Sequence, residues 1–330
     1  MNDERPILIV GLGSVGSRHL NNLRALGHSN FIFVRSHKGT LPELRLGDGM
    51  VTTDLDLALS YRPSITIVSN PTSLHLAVSL AAARAGCHLF IEKPLAHGLE
   101  GVDELQTLSR ERNLTTMIGC QFRFHPLMIS LSDQVKGGRI GNVVSARAEW
   151  GEYLPEWHPW EDHRQSYSAR RDLGGGSILT LIHPLDYLYW LFGAVAQARA
   201  SVRKIESLET DTIDDLAEIT IEFTSGVIGQ VHLDFIQRPP AHKLQLLGEN
   251  GRVEWDYYAG TLRWQSVSGE VDIEKVPDGF ERNTMFLDEM RHFLECVEQR
   301  VPTRIPLQDG IAVLDIALRA EQSYAQRAGV

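Results

Sequence analysis

A two-part fold is predicted: a doubly wound α/β domain with a parallel sheet, then an α+β domain with an open, mainly antiparallel sheet and helices on one face. Three observations predict it. The first 120 residues alternate unbroken apolar runs with helical patterns. Gly11-x-Gly13-x-x-Gly16 falls between the first run and the first helical pattern. From Gln197 to about Val276, apolar residues alternate with polar ones.

In the first half, "PILIV" precedes "SVGSRHLNNLRAL", and "FIFV" follows. "SITIV" precedes "SLHLAVSLAAARAG", "HLFI" precedes "LEGVDELQTLSRER", and "TTMIGC" closes the series. Strands without polar alternation, separated by helices, call for a parallel sheet covered on both faces. That is the doubly wound Rossmann arrangement, assigned here to residues 1–122.

The pattern changes near Gln121. "PLMISLSDQVKGG" predicts a short helix ending at glycines, and "NVVSARAEWGEY" a strand. Residues 153–173 show no period. A strongly apolar helix is expected from Ser177 to Phe192. Ala217, Ile219, Ile221 and Phe223 then alternate with polar residues, Thr224-Ser225-Gly226 turns, and Val227, Val231, Leu233 and Phe235 resume. A second hairpin is expected around Glu249-Asn250-Gly251, and two helical patterns end the chain. Residues 123–330 are therefore assigned to a substrate-binding and oligomerisation domain, its last helix free to pack back on the first. The alternation is also expected to leave apolar side chains on an uncovered sheet face. That predicts a homodimer or homotetramer through this sheet.

A chain of 330 residues is long for a single core. The net charge of −10 argues against a broad nucleic-acid footprint. No apolar run approaches the roughly 20 residues that span a bilayer, and "MNDERPILIV" lacks a signal-peptide apolar region. Cys87, Cys120 and Cys296 have no metal-ligand spacing and are read as reduced thiols of a cytoplasmic protein. No metal is expected.

Gly11, Gly13 and Gly16, with Ser14 and Val15, follow a strand and open a helix. In that setting the glycines let backbone N–H groups approach a pyrophosphate, helped by the helix N-terminus. The second strand ends at Arg35-Ser36-His37-Lys38, where an NAD-selective site usually has Asp or Glu about 20 residues on. Arg35, Ser36 and Lys38 are suited to a 2′-phosphate. The alternative is a solvated basic turn.

"LFIEKPLAHG" puts Lys93 at the carboxyl end of a buried strand, where open α/β sheets bind ligands. Pro94 stiffens the turn. Taken alone, Lys93 can equally cap the sheet edge. In "RRDLGGGSILTLIHPLDYLYWLFG", Thr180, His183 and Asp186 form one polar stripe after Gly174-Gly175-Gly176. The glycines suggest close approach by another group. The alternative is that Asp186 simply bonds His183 in the core.

At this point the chain resembles the Gfo/Idh/MocA family of nicotinamide-dependent oxidoreductases. The resemblance covers essentially the whole chain. It rests on "GLGSVG", "NPTSLH" at 70–75, "EKP" at 92–94, "QFRFHP" at 121–126 and the GGG…H…D helix. It implies that Lys93 and His183 sit at the nicotinamide and substrate. It places Asn70, Pro71 and His75 under the nicotinamide half of the cofactor and Glu92 near its ribose. Pro94 and Gln121 fall on the cofactor side and Arg123 on the substrate side. Many members carry an Asp four residues before the helical His; here Leu179 stands there, next to Thr180. Asp172 is a candidate replacement, and Asp186 a candidate to orient His183. In this setting a cis bond is expected before Pro94.

Residues 150–168 are rich in aromatic and hydrogen-bonding groups. Trp157, Trp160, Arg164 and Tyr167 suit a sugar, or equally a loop packed on the sheet. The sequence thus predicts an NADP(H)-preferring oxidoreductase for a secondary alcohol or ketone of a sugar, nucleotide sugar or cyclitol. His183 would transfer the proton and Lys93 would bond the substrate oxygen, or the two roles would be exchanged. The alternatives are an NAD(H) enzyme of the same fold and a dinucleotide-binding regulator without turnover.

Overall fold

The computed structural model describes residues 5–36 and 49–328. Two compact units emerge. The first is residues 1–120 with 283–311, and the second is 121–282 with 312–330. The expected division at 122/123 thus misses one excursion, because residues 283–311 return to the first unit.

The first unit runs β1 (Ile7–Val10), α1 (Ser14–Ala25), β2 (Phe31–Val34), β3 (Met50–Thr52), α2 (Leu55–Ser60) and β4 (Ile65–Val68). It continues with α3 (His75–Arg84), β5 (His88–Glu92), α4 (Val102–Glu111) and β6 (Thr116–Gly119). The strands form one parallel sheet in the order β3-β2-β1-β4-β5-β6. β1 and β5 are buried along their whole length, as their unbroken apolar runs require. The order reverses beside β1, which makes the carboxyl ends of β1 and β4 the switch point where such sheets bind ligands. β3 is a strand the sequence reading missed. It is three residues long with no run of its own.

The second unit opens with a turn of 3₁₀ helix at Gln121–Phe124, then α5 (Pro126–Lys136) and β7 (Val143–Gly151). After several 3₁₀ turns come α6 (Ser177–Thr180), α7 (His183–Phe192), β8 (Val195–Arg203), β9 (Leu216–Phe223) and β10 (Ile228–Asp234). Then come β11 (Ala241–Gly248), β12 (Gly251–Asp256), β13 (Thr261–Ser266) and β14 (Val271–Lys275). The eight strands are ordered β14-β13-β12-β11-β7-β10-β9-β8. All pairs are antiparallel except β7 with β10. Both expected hairpins form, β9–β10 and β11–β12.

The chain ends in α8 (Arg282–Gln299) and α9 (Leu307–Ala328). Within the first unit, Phe293 of α8 meets Phe90 edge-on at 5.5 Å. Asn283 donates to Asn22, and the Ile118 N–H donates to the Ile305 carbonyl. Gly310 lies against Ile118, where a Cβ would not fit. These contacts are why residues 283–311 return to the first sheet.

Two expectations fail in the second unit. The apolar helix is not continuous from Ser177 to Phe192, because it breaks at Leu181–Ile182. Pro184 has no N–H to donate to Thr180 and its ring crowds that carbonyl; the helix restarts at His183 with the proline in its first turn. The second sheet face is also not apolar. The alternating apolar residues of β9 and β10 are the buried ones, packed under α6 and α7. The outward positions carry Arg147, Glu149, Glu218, Glu222, Lys243 and Glu254, with Ile228, Leu247, Val271 and Ile273 as scattered exceptions.

Candidate functional site

In the first unit the glycine loop has two kinds of glycine. Gly11 has φ +90°, and a Cβ there would lie 2.5 Å from the Asn70 nitrogen. A Cβ at Gly16 would collide with the Gly11 carbonyl oxygen. These two make the turn tight. Around Gly13 nothing lies within 4 Å of a Cβ position, so this glycine faces open space. It caps α1, where no side chain bonds the first turn and no acidic residue sits in it. Uncapped N–H groups beside an open glycine fit a dinucleotide pyrophosphate. The Asn70 side-chain oxygen adds to the fit: it is buried and accepts no hydrogen bond from the protein.

Arg35 follows β2, half-buried, its N–H on the Thr52 carbonyl, and Ser36 is exposed. Lys38 lies outside the described residues. Pro71 leads into a 3₁₀ turn, Thr72–Leu74.

His75 was expected under the cofactor, yet it is buried and both ring nitrogens face backbone. They lie 2.8 Å from the Pro94 carbonyl oxygen and 2.7 Å from that of Asn70. Burial pulls its pKa below the usual histidine value, against the two carbonyls and Glu92, which pull it up. His75 therefore joins the Asn70 loop to the Lys93–Pro94 turn. Glu92, expected near a ribose, instead meets His19, Oε1 to Nε2 2.6 Å, inside the unit. Lys93 follows, half-buried, and the Lys93–Pro94 peptide is cis.

In the second unit Gln121 and Arg123 are buried on the 3₁₀ turn. Arg123 was expected to meet substrate and Asp186 to orient His183; the structure ties them to each other. The Arg123 Nε donates to Asp186 Oδ2 at 3.0 Å and Nη2 to Oδ1 at 2.7 Å. Both side chains are 1–2% exposed. A planar guanidinium matches a carboxylate in this two-pronged way, and buried charges need such a partner.

His183, buried, starts α7. Its ring stacks on Trp150 at 5.4 Å, and Phe122 meets it edge-on at 4.9 Å. Trp150 also stacks on His242 at 4.5 Å, and its indole N–H donates to Glu152. Burial pulls the pKa of His125 down to about 4 and that of His242 well below its ordinary value. The sequence reading missed Trp150 and His242. They are register partners on β7 and β11. The alternation Ala146, Ala148, Trp150 and His242, Leu244, Leu246 carried that signal.

The glycine triplet is approached by the chain itself. Gly174 and Gly176 have φ of +80° and +104°, and a Cβ at Gly176 would strike the Asp214 carboxylate. A Cβ at Gly175 would meet the carbonyls of Tyr167 and Ser168. Asp214 accepts from the Ile178 N–H at 2.9 Å; burial, with Glu321 nearby, pushes its pKa up to about 8. Thr180 is buried at the end of α6. Asp172, the candidate for the carboxylate absent at Leu179, is exposed and held by Arg170 at 2.6 Å. Arg164 is likewise exposed and already bonded to Asp162 and Glu209. Trp160 and Tyr167 are exposed, Trp160 at 57%.

Among the described residues no helix is long and apolar enough to cross a membrane, and no group of three or more His, Cys, Asp or Glu is placed to hold a metal.

Comparison with known proteins identifies the family of both halves. Residues 5–120 match the oxidoreductase family with an NAD-binding Rossmann fold, and residues 129–254 match the GFO/IDH/MocA C-terminal domain. The chain is 24% identical to the myo-inositol 2-dehydrogenase of Thermotoga maritima over 98% of this chain and 97% of that one. It is 28% identical to the 1,5-anhydro-D-fructose reductase of Ensifer adhaerens, over 64% of this chain and 63% of the relative. For several curated relatives, that reductase included, the match spans about half to two thirds of the relative's own length. A levoglucosan dehydrogenase solved with NADH and levoglucosan has the same fold, with a TM-score of 0.84, 18% identity and 97% of each chain covered. With both halves matched in order, the chain belongs to the Gfo/Idh/MocA oxidoreductase family.

Proposed function

We propose that this protein transfers hydride between a nicotinamide dinucleotide and a secondary alcohol or ketone of a sugar, nucleotide sugar or cyclitol. The observation that carries the reading is Lys93, half-buried at the carboxyl end of β5. It shares its unit with the uncapped helix after Gly13 and the unsatisfied Asn70 oxygen. The cofactor, when bound, supplies the hydride acceptor or donor. The chain's own residues handle the hydroxyl: Lys93 donates a hydrogen bond to the substrate oxygen and His183 takes or returns its proton. The inositol, anhydrofructose and levoglucosan named for the relatives support a polyol or sugar substrate.

Arg35 supports NADP(H) as the preferred cofactor, and the NADH in the levoglucosan dehydrogenase makes NAD(H) the competing reading. The three cysteines are buried thiols outside any disulfide, which suits a reducing cytoplasm. The open outward face of the eight-stranded sheet, where Ile228, Leu247, Val271 and Ile273 are exposed, is the surface that a homodimer or homotetramer would use; light scattering at micromolar concentration tests that. Turnover of both cofactors with a panel of inositols, anhydrosugars and nucleotide sugars tests the function. Binding of a dinucleotide with no turnover on any of them would instead identify a regulator.

A further inference from the structure

We propose that His19 is a positioning residue for Lys93, acting through the Glu92 carboxylate; this rests on the reading that Lys93 meets the reacting hydroxyl. His19 lies on α1, the helix that the glycine loop opens. Glu92 is the last residue of β5 and directly precedes Lys93. The two side chains meet at 2.6 Å, with the histidine fully buried and the glutamate side chain 10% exposed.

The bond has a defined direction. His19 Nδ1 is buried with no hydrogen-bond partner. The ring therefore donates through Nε2, since a proton on Nδ1 would have nothing to receive it. Phe90 at 4.9 Å and Phe286 at 6.4 Å hold the ring edge-on. Gly119, the register partner of Glu92 on β6, leaves room for this carboxylate: a Cβ there would come within 3.0 Å of Oε1.

This has a geometric and an electrostatic effect on Lys93. The peptide from which the lysine departs is anchored on its N-terminal side by His19–Glu92, while His75 holds the Pro94 carbonyl on the other. A carboxylate held fixed one residue away also fixes part of the field around the lysine.

The test reads Lys93 directly. Lysines of the full chain are reductively methylated with ¹³C-formaldehyde. The Lys93 signal is assigned by its absence in Lys93→Met, and its pH titration is followed by NMR. In His19→Leu the Glu92 carboxylate loses its donor and its fixed place. The Lys93 midpoint is then expected to fall by roughly half a pH unit or more. His19→Gln, whose amide donates at similar reach, should keep the midpoint near that of the unaltered protein. Turnover on the polyol found active should drop about ten-fold or more in His19→Leu, while NADPH affinity by fluorescence changes less than about three-fold.

An unmoved Lys93 titration in folded His19→Leu overturns the proposal, and so does an equal shift in His19→Gln. If His19→Leu does not fold, Glu92→Gln removes the charge with little change of shape and must produce the same shift; no shift there overturns it. Should Lys93→Met keep its turnover, the catalytic reading of Lys93 falls, while the titration still decides whether His19 acts on that lysine.

Discussion

Arg123 and Asp186, 63 residues apart in sequence, form a two-pronged ion pair in the buried core of the second unit. Removing one partner strands the other charge in the core. Asp186→Ala is expected to cost on the order of 3–5 kcal/mol in urea unfolding. The double change Arg123→Met with Asp186→Leu should recover most of that loss. A small cost for the single change would mean that water reaches the guanidinium.

Lys93→Met should retain cofactor affinity within a few-fold and lose turnover by roughly 10²-fold or more. Steady-state kinetics beside fluorescence titration separates the two effects. Near-normal turnover would reduce "EKP" to a structural turn.

Arg35→Ala should weaken NADP(H) binding about ten- to hundred-fold, or roughly 1.5–3 kcal/mol for a charge-assisted phosphate contact, and leave NAD(H) almost unchanged. Calorimetry with both cofactors measures it. Equal losses for the two would count against a 2′-phosphate contact.

Two sets of buried groups should bend the pH–stability curve in opposite directions. His125 has its folded pKa pulled down to about 4. Below its ordinary 6.5 the unfolded chain binds the proton and the folded one does not. Stability is therefore lost as pH falls from about 6.5 towards 4, by on the order of 3 kcal/mol for this residue. His242 acts in the same direction. Asp214 and Glu321, raised by burial to about 8 and about 7, act oppositely. Their stabilising effect is complete below the ordinary carboxyl range and is lost as pH rises through those values. Asp214→Asn keeps an acceptor for the Ile178 N–H, so its stability should fall less than that of the unaltered protein between pH 6 and 9. Urea melts across pH test both arms.

What the sequence made legible was periodic or local. The unbroken apolar runs at Ile7–Val10 and Leu89-Phe90-Ile91 gave the parallel strands. The alternation from Ala217 to Phe223 gave the face of β9 that packs on helices. The Pro184 break was also written there, and the apolar run around it masked the signal. Partnerships across long separations were not legible. Nothing local in Glu92 says that His19 takes its carboxylate, and nothing in Gly176 says that Asp214 fills the space beside it. The same holds for residues that the family resemblance placed near ligands: the bonds that Glu92, His75 and Arg123 make within the protein were not legible in the motifs.

The return of residues 283–311 to the first sheet bears on how the chain is made. During synthesis the six parallel strands emerge early, yet Phe90 and the Ile118 N–H wait for Phe293 and Ile305, which leave the ribosome only after the whole second sheet. Folding from the N-terminus onward is the usual order for separate domains; here the domain that starts first is completed late. Until then its β5–β6 edge stays uncovered, the kind of exposed apolar surface that chaperones bind. A nascent chain stalled near residue 280 would be a natural chaperone client, whereas one stalled beyond residue 311 would have the segment needed to bury that edge.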